Sequence, residues 1–316
     1  ADAIRMLYGF GPQSQLADRG TSHHPALATS SYVDLATSAL TLHMVWKGAK
    51  NDQGVYESAL VSGGWTPQRK IHGIGTAAAP ALATVARPGP TPSTDIVMAW
   101  RGVDGDQGLY WCRHNETGWF PQQKVNGVGS SHGPALANFG GLVMAWKGIK
   151  GDQGIYYSRL GSNGWGPQAN VRGIGTSASP ALVVFNGRLY MFWKGIEGDS
   201  TLYYSWLESG PGAIWQPQRR VAYADYATSG GVWKYPGSVS GPSATVRGNR
   251  ILLAWRGVQG DQGIYFSLFD GQEFTGQVRV ADVGTSAGPA VCTVGGLTYM
   301  AWKGIEGDSC IYWSTL

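Results

Sequence analysis

Charge is scarce in this chain of 316 residues: Asp, Glu, Lys and Arg together make up 14% of it. So little charge beside 48 glycines, 14 tryptophans and 15 tyrosines describes short strands and tight turns rather than disorder. No run approaches the roughly 20 apolar residues that span a bilayer, and the opening ADAIRMLYGF lacks a basic segment followed by a hydrophobic one. The chain is therefore read as soluble, with its compartment, secreted or not, left open. The sequon Asn115-Glu116-Thr117 matters only on a eukaryotic secretory route. A net charge of +4 comes without any Lys/Arg cluster, which argues against nucleic acid as a partner. Cys112, Cys292 and Cys310 cannot all pair and stand in no CxxC or Cys/His spacing, so they read as buried thiols, with neither metal nor cofactor expected.

What the chain does have is a repeat. The unit reads approximately GTSxxPALxxxxGxLxMAWKGxxGDQGIYYSxxxxxGWxPQxxVxGI, and its tryptophan recurs at Trp46, Trp100, Trp146, Trp193, Trp255 and Trp302. Each is followed in register by Asp52, Asp106, Asp152, Asp199, Asp261 or Asp308. Six copies of about 46 to 62 residues result. Each copy holds four short β-like runs, such as PALVVF, RLYMFW, LYYSWL and PQRRVA in the fourth, separated by turn residues. Sheets of this size must stack on neighbours around an axis, so the spacing predicts an all-β, six-bladed β-propeller of four-stranded antiparallel blades, spanning residues 1–316 as one domain. Residues 8 to 21 match the fourth strand of other copies, whereas the chain stops at the third strand of copy six. The N-terminal strand is expected to complete the last blade and close the ring. Two insertions depart from the pattern: ARPGPTPST at 86–94, and an aromatic-rich link at 223–239 carrying Tyr223, Tyr226, Trp233 and Tyr235.

In such a blade the turn between strands two and three shares a rim with the link to the next blade. WKGxxGDQG and GIGTSxxP, the most repetitive segments, would therefore converge. Each copy offers there an aromatic ring, a cation, a carboxylate and usually an amide. The six sets are Trp46, Lys47, Asp52 and Gln53; Trp100, Arg101, Asp106 and Gln107; Trp146, Lys147, Asp152 and Gln153; Trp193, Lys194, Asp199 and Ser200; Trp255, Arg256, Asp261 and Gln262; and Trp302, Lys303, Asp308 and Ser309. A sugar needs a ring for its C–H face and mixed donors and acceptors for its hydroxyls, and this inventory supplies both. The alternative for each residue is structural: tryptophan as inter-blade core, aspartate as the cap of its own turn, the cation as its partner. His23, His24 and His132 lie in the adjoining loops and either tune single sites or are solvated.

The expected function is multivalent, non-catalytic binding of glycan termini in clefts between blades, with weak single sites reinforced by avidity. A protein-interaction propeller is the second reading. A glycosidase or sialidase is the third, disfavoured because the carboxylates are equivalent and dispersed one per blade, and because no Ser-x-Asp-x-Gly-x-Thr-Trp box, HExxH or GxSxG occurs. Calcium is disfavoured because one carboxylate per loop falls short of its oxygen requirement. In repeat number, length and ring layout the chain resembles the six-bladed fucose-binding lectins of the Aleuria type, and more loosely tachylectin-2. That resemblance implies sugars held between adjacent blades on one rim, and it does not extend to a choice of sugar.

Overall fold

The computed structural model describes residues 9–34, 37–87, 93–225 and 232–316. Among these, every regular element is a β-strand or a two-residue extension of one, and no helix is long and apolar enough to cross a membrane.

Each repeat folds into an antiparallel ladder of four strands, counted outward from the axis. Blade I comprises Ala26–Asp34, Thr37–Lys47, Gly54–Val61 and Arg69–Gly75; blade II, Ala81–Arg87, Ser93–Arg101, Gly108–Asn115 and Gln123–Gly129. Blade III comprises Ala135–Asn138, Leu142–Lys147, Gly154–Gly161 and Ala169–Gly175; blade IV, Ala181–Phe185, Arg188–Lys194, Leu202–Leu207 and Arg219–Arg220. Blade V comprises Ser243–Arg247, Arg250–Arg256, Gly263–Phe269 and Val278–Gly284. Blade VI takes Ala290–Val294, Leu297–Lys303 and Cys310–Thr315, and its outer strand is the N-terminal Ser14–Gly20, with Leu16 opposite Ile311. Blades I and II are also joined by a single pair, Ser31 with Thr94.

The first strands form the closure. Each lies beside the first strand of the blade before and the blade after, and that of blade VI lies beside that of blade I. Side-chain hydroxyls stitch them: Thr84 Oγ1 donates to Thr29 O at 2.6 Å, and Val291 N donates to Ser243 Oγ at 3.1 Å. The result is a β-propeller.

Why second strands turn wholly apolar over the three residues that end on the repeated tryptophan follows from this packing. Successive side chains of a strand point to opposite faces. In Leu142–Lys147, Leu142, Met144 and Trp146 pack on blade II residues such as Val97, Ala99 and Leu109, while Val143 and Ala145 pack on Leu189, Met191 and Trp193 of blade IV. Both faces are interior, so every position is buried.

Fourth strands of five blades carry a register shift at a residue with positive φ: Asp18 (57°), Gly73 (73°), Gly127 (71°), Gly173 (72°) and Asp282 (55°). Glycine and aspartate tolerate that left-handed backbone, and the bulge bends the outer strand towards the next blade. Blade IV lacks it. There the chain leaves into a small hairpin, Tyr223–Asp225 with Val232–Lys234, and rejoins the pattern where Gly237 pairs with Thr201. Trp233 and Tyr235 on this excursion are 57% and 53% exposed; Tyr226, and residues 88–92 of the other insertion, lie outside the described residues.

Candidate functional site

The rim brings the repeated residues together as expected, but the structure commits most of them to holding the ring. Trp46, Trp100, Trp146, Trp193, Trp255 and Trp302 are at most 1% exposed. Each stacks on the tyrosine of the adjoining strand, with centroids 6.1 to 6.4 Å apart. No face is left for a sugar, so the expectation that these rings wall a ligand is corrected: they are inter-blade core.

The aspartates each cap their own turn. Asp52 Oδ1 accepts from Gly54 N at 2.8 Å and Oδ2 from Tyr56 Oη at 2.7 Å. Asp106, Asp152, Asp199, Asp261 and Asp308 repeat both bonds with Gly108 and Tyr110, Gly154 and Tyr156, Thr201 and Tyr203, Gly263 and Tyr265, and Cys310 and Tyr312. The tyrosine hydroxyl holds the Asp52 carboxyl below its usual range, and the Gly108 amide does so for Asp106. Adding a Cβ to the glycine that follows each cation would bring it within 2.2 to 2.5 Å of the same carboxylate, which is why that position is glycine in all six copies.

The cations close the turn from the other side. Lys47 Nζ donates to Ser22 Oγ at 2.8 Å and Asp52 O at 3.0 Å; Lys147 Nζ donates to Ser131 Oγ and Asp152 O, both at 2.8 Å. Lys194 and Lys303 bond Ser177 and Ser286 Oγ, and Arg256 bonds Ser286 O. Arg101 is half-buried, with its Nε enclosed without an acceptor. The glutamines link blades: Gln53 Oε1 accepts from Asp104 N, Gln107 from Lys150 N, Gln153 from Glu197 N and Gln262 from Glu306 N, each at 2.6 Å. His23 and His132 each bond the serine that receives the neighbouring lysine, at 3.1 Å. Burial pushes both down to about 4, so they stand uncharged at neutral pH rather than solvated.

Open clefts lie elsewhere, on the outer flank where the GWxPQ turn of one blade meets the fourth strand of the blade before. Sequence reasoning passed over this second tryptophan. Its ring meets the residue after the stacked tyrosine in the preceding blade: Trp165 on Trp111, Trp215 on Tyr157, Phe274 on Tyr204, Phe10 on Phe266 and Trp65 on Trp313, at 5.4 to 6.0 Å and 70° to 88°. Five junctions are thus edge-to-face aromatic pairs.

The sixth junction, between blades I and II, differs. Glu57 replaces the aromatic. Its Oε2 accepts from Trp119 Nε1 at 2.8 Å, and its Oε1 from Arg69 Nε at 2.8 Å and Nη2 at 2.6 Å. Strand pairing sets this up: Glu57 and Arg69 are opposite one another on strands three and four of blade I, and Trp119 is fixed by the two-residue strand Gly118–Trp119, whose Gly118 has φ of 114°. The glutamate side chain is 9% exposed and the arginine 67%, so guanidinium donors beyond those spent on Glu57 face the opening. With Lys70, His72, Thr117, Gln122 and the 45%-exposed Phe120, these residues line a cleft of about 550 Å³. Behind it, His114 lies 4.8 Å from the Trp119 ring and 5.4 Å from His43, and His43 Nε2 bonds Ser30 Oγ at 2.8 Å. Burial, reinforced by His114, pushes His43 down to about 4.

The equivalent cleft between blades III and IV, about 830 Å³, carries Tyr157, Asn170, Arg172, Trp215, Gln216 and Gln218. Aligning the six copies at the residue after the stacked tyrosine would have exposed the odd member: Glu57 against Trp111, Tyr157, Tyr204, Phe266 and Trp313.

No family model and no curated protein sequence matches this chain. Solved structures do. The fucose lectin of Aleuria aurantia, described as a six-bladed β-propeller, aligns at 13% identity and a TM-score of 0.59 over 96% of this chain and 93% of its own. AofleA from Arthrobotrys oligospora aligns at 12% identity and 0.61 over 95% and 85%. The Trypanosoma rangeli sialidase aligns at 10% identity and 0.57 over 98% of this chain and 60% of its own. At these identities the likeness is one of fold.

Proposed function

We propose that this protein is a non-catalytic lectin that holds glycan termini in clefts between blades, with the junction of blades I and II as its principal site. The observation that carries the reading is the Glu57–Arg69–Trp119 constellation. A buried carboxylate, an exposed guanidinium and an aromatic wall meet in one opening. A sugar ring packs its C–H face on Phe120 and the edge of Trp119 and takes hydrogen bonds from Arg69 and Gln122, while Glu57, whose oxygens already accept from Trp119 and Arg69, holds those two in place. That several of the aligned structures are fucose lectins supports a deoxysugar among the candidates, since its methyl group suits an apolar wall.

Hydrolysis is the weaker reading, although sialidases share the fold. Most glycosidases use two carboxyl groups on opposite sides of the bond, about 5 to 10 Å apart, and sialidases use a tyrosine nucleophile instead. The clefts at the I–II, II–III and III–IV junctions are lined by one carboxylate between them, Glu57, and it is already ion-paired. The test is a glycan array on labelled protein, with and without chelator, followed by titration of the best sugar into wild type and Glu57→Gln. Binding that survives chelation and weakens ten-fold or more in the variant supports the reading. Silence across the array, or release of free sugar on incubation with a bound glycan, sinks it.

A further inference from the structure

The rim that does not hold the open clefts has a surface of its own. At the tip of each turn between strands two and three, one aliphatic residue stands out: Val103 (43% exposed), Ile149 (49%), Ile196 (48%), Val258 (41%) and Ile305 (51%), with Ala49 in blade I. The foot of each rests over the glycine that ends the preceding blade. A Cβ added at Gly75, Gly129, Gly175, Gly237 or Gly284 would fall 2.8 to 2.9 Å from that side chain. Four tips are also held by the glutamine bonds described above. The aliphatic ring is therefore positioned by the fold, with its outer half facing water.

The residue after each aliphatic is exposed, and five of the six are charged. Odd blades carry Lys50, Lys150 and Gln259; even blades carry Asp104, Glu197 and Glu306. Six-fold arrangement and alternation have a geometric consequence. Any two-fold axis lying in the plane of this face and passing between blades exchanges odd-numbered blades with even-numbered ones. Two copies stacked face to face then place every lysine opposite an acid and never like on like, while aliphatic meets aliphatic. Such an interface is isologous and closes on itself, and complementary charge fixes its register.

We infer that this rim is the contact surface for a second copy of the chain, giving a face-to-face dimer in which the outer clefts of both rings stay open. The inference is independent of what the clefts bind. A dimer joined at the rim doubles the number of flank clefts and directs them away from each other, the arrangement by which weak sites gain avidity on a surface.

The test uses sedimentation velocity on the full chain at micromolar concentrations and low salt, with circular dichroism to verify folding. Wild type is expected at twice the chain mass. The variant Lys50→Glu with Lys150→Glu makes all charged tips negative, and the variant Asp104→Lys with Glu197→Lys and Glu306→Lys makes them all positive. Each alone is expected to dissociate at least ten-fold more readily, and an equimolar mixture to re-form a dimer. A monomeric wild type, charge variants that dimerise as well as wild type, or a mixture that stays monomeric would each overturn the inference. Because the altered residues are exposed tip positions remote from Glu57, failure here leaves sugar binding intact, and failure of sugar binding leaves the dimer intact.

Discussion

The rim loops and the flank clefts of this propeller were built by the same duplications, yet they have diverged to opposite degrees. Along the rim, six tryptophans, six aspartates and six cations repeat almost without variation; the indoles are buried, and the aspartates and lysines bond the turns that carry them. On the flank, one position reads Glu, Trp, Tyr, Tyr, Phe and Trp from blade I to blade VI. Uniformity marks what every blade needs in order to stand against its neighbours; variation marks where a blade is free to acquire a ligand.

The largest effect should come from the rim. Trp146→Ala opens a cavity where a ring with no exposure packs between Val97, Ala99 and Leu109, and buried aromatic truncations cost about 3 to 5 kcal/mol. Urea denaturation should register that loss. A sugar Kd that shifts more than stability does would return the tryptophan to the binding site.

Next comes acid. A free imidazole takes up its proton near pH 6.5, whereas His43 in its pocket does so only near 4. Between those values the unfolded chain binds more protons, so His43 contributes stability that is complete above about pH 6.5 and is lost as pH falls towards 4. The shift corresponds to something on the order of 3 kcal/mol at the acid end. His43→Val, the residue that blades II and III carry at this position as Val97 and Val143, should flatten melting temperature against pH across that window. An unchanged acid slope would place the sensitivity elsewhere.

Much of this was legible in the sequence for a simple physical reason. Strand period and turn residues are local properties, and the split of one blade between the two ends of the chain left a visible remainder at residues 8 to 21. The pairing of Leu16 with Ile311 bears that out. The site was less legible because duplication preserves a buried indole as faithfully as an exposed one. Trp46 and Trp119 look alike as letters. Only packing shows that the first is enclosed on both faces while the second sits beside an opening with its N–H on a carboxylate. Glu57 carried a signal, but it lay in a difference among copies rather than in what they share.

A moderate effect is expected at Asp152. Were Asp152 a sugar ligand, Asp152→Ala would weaken one site and leave the ring unharmed. With its carboxylate committed to Gly154 N and Tyr156 Oη, the variant should instead lose about 1 to 2 kcal/mol of stability and bind sugar as before. Isothermal titration beside a melt separates the two outcomes.

The smallest effect probes the two copies that break the rim pattern. Blades IV and VI have Ser200 and Ser309 where the others have glutamine, so the tips bearing Gln259 and Lys50 miss the side-chain bond that pins Asp104, Lys150, Glu197 and Glu306. Blade VI is also the blade whose outer strand comes from the other end of the chain, which makes its junction with blade I the natural place for the ring to open. Ser309→Gln supplies the missing acceptor to Lys50 N. A net gain of about 0.5 kcal/mol is reasonable for one exposed hydrogen bond, and amide exchange should slow at Lys50 before it slows anywhere in blade III. If protection spreads to Ser14–Gly20 as well, ring closure and rim pinning are coupled; if Lys50 does not respond, the glutamine bond is a by-product of packing and the serine copies lost nothing by changing.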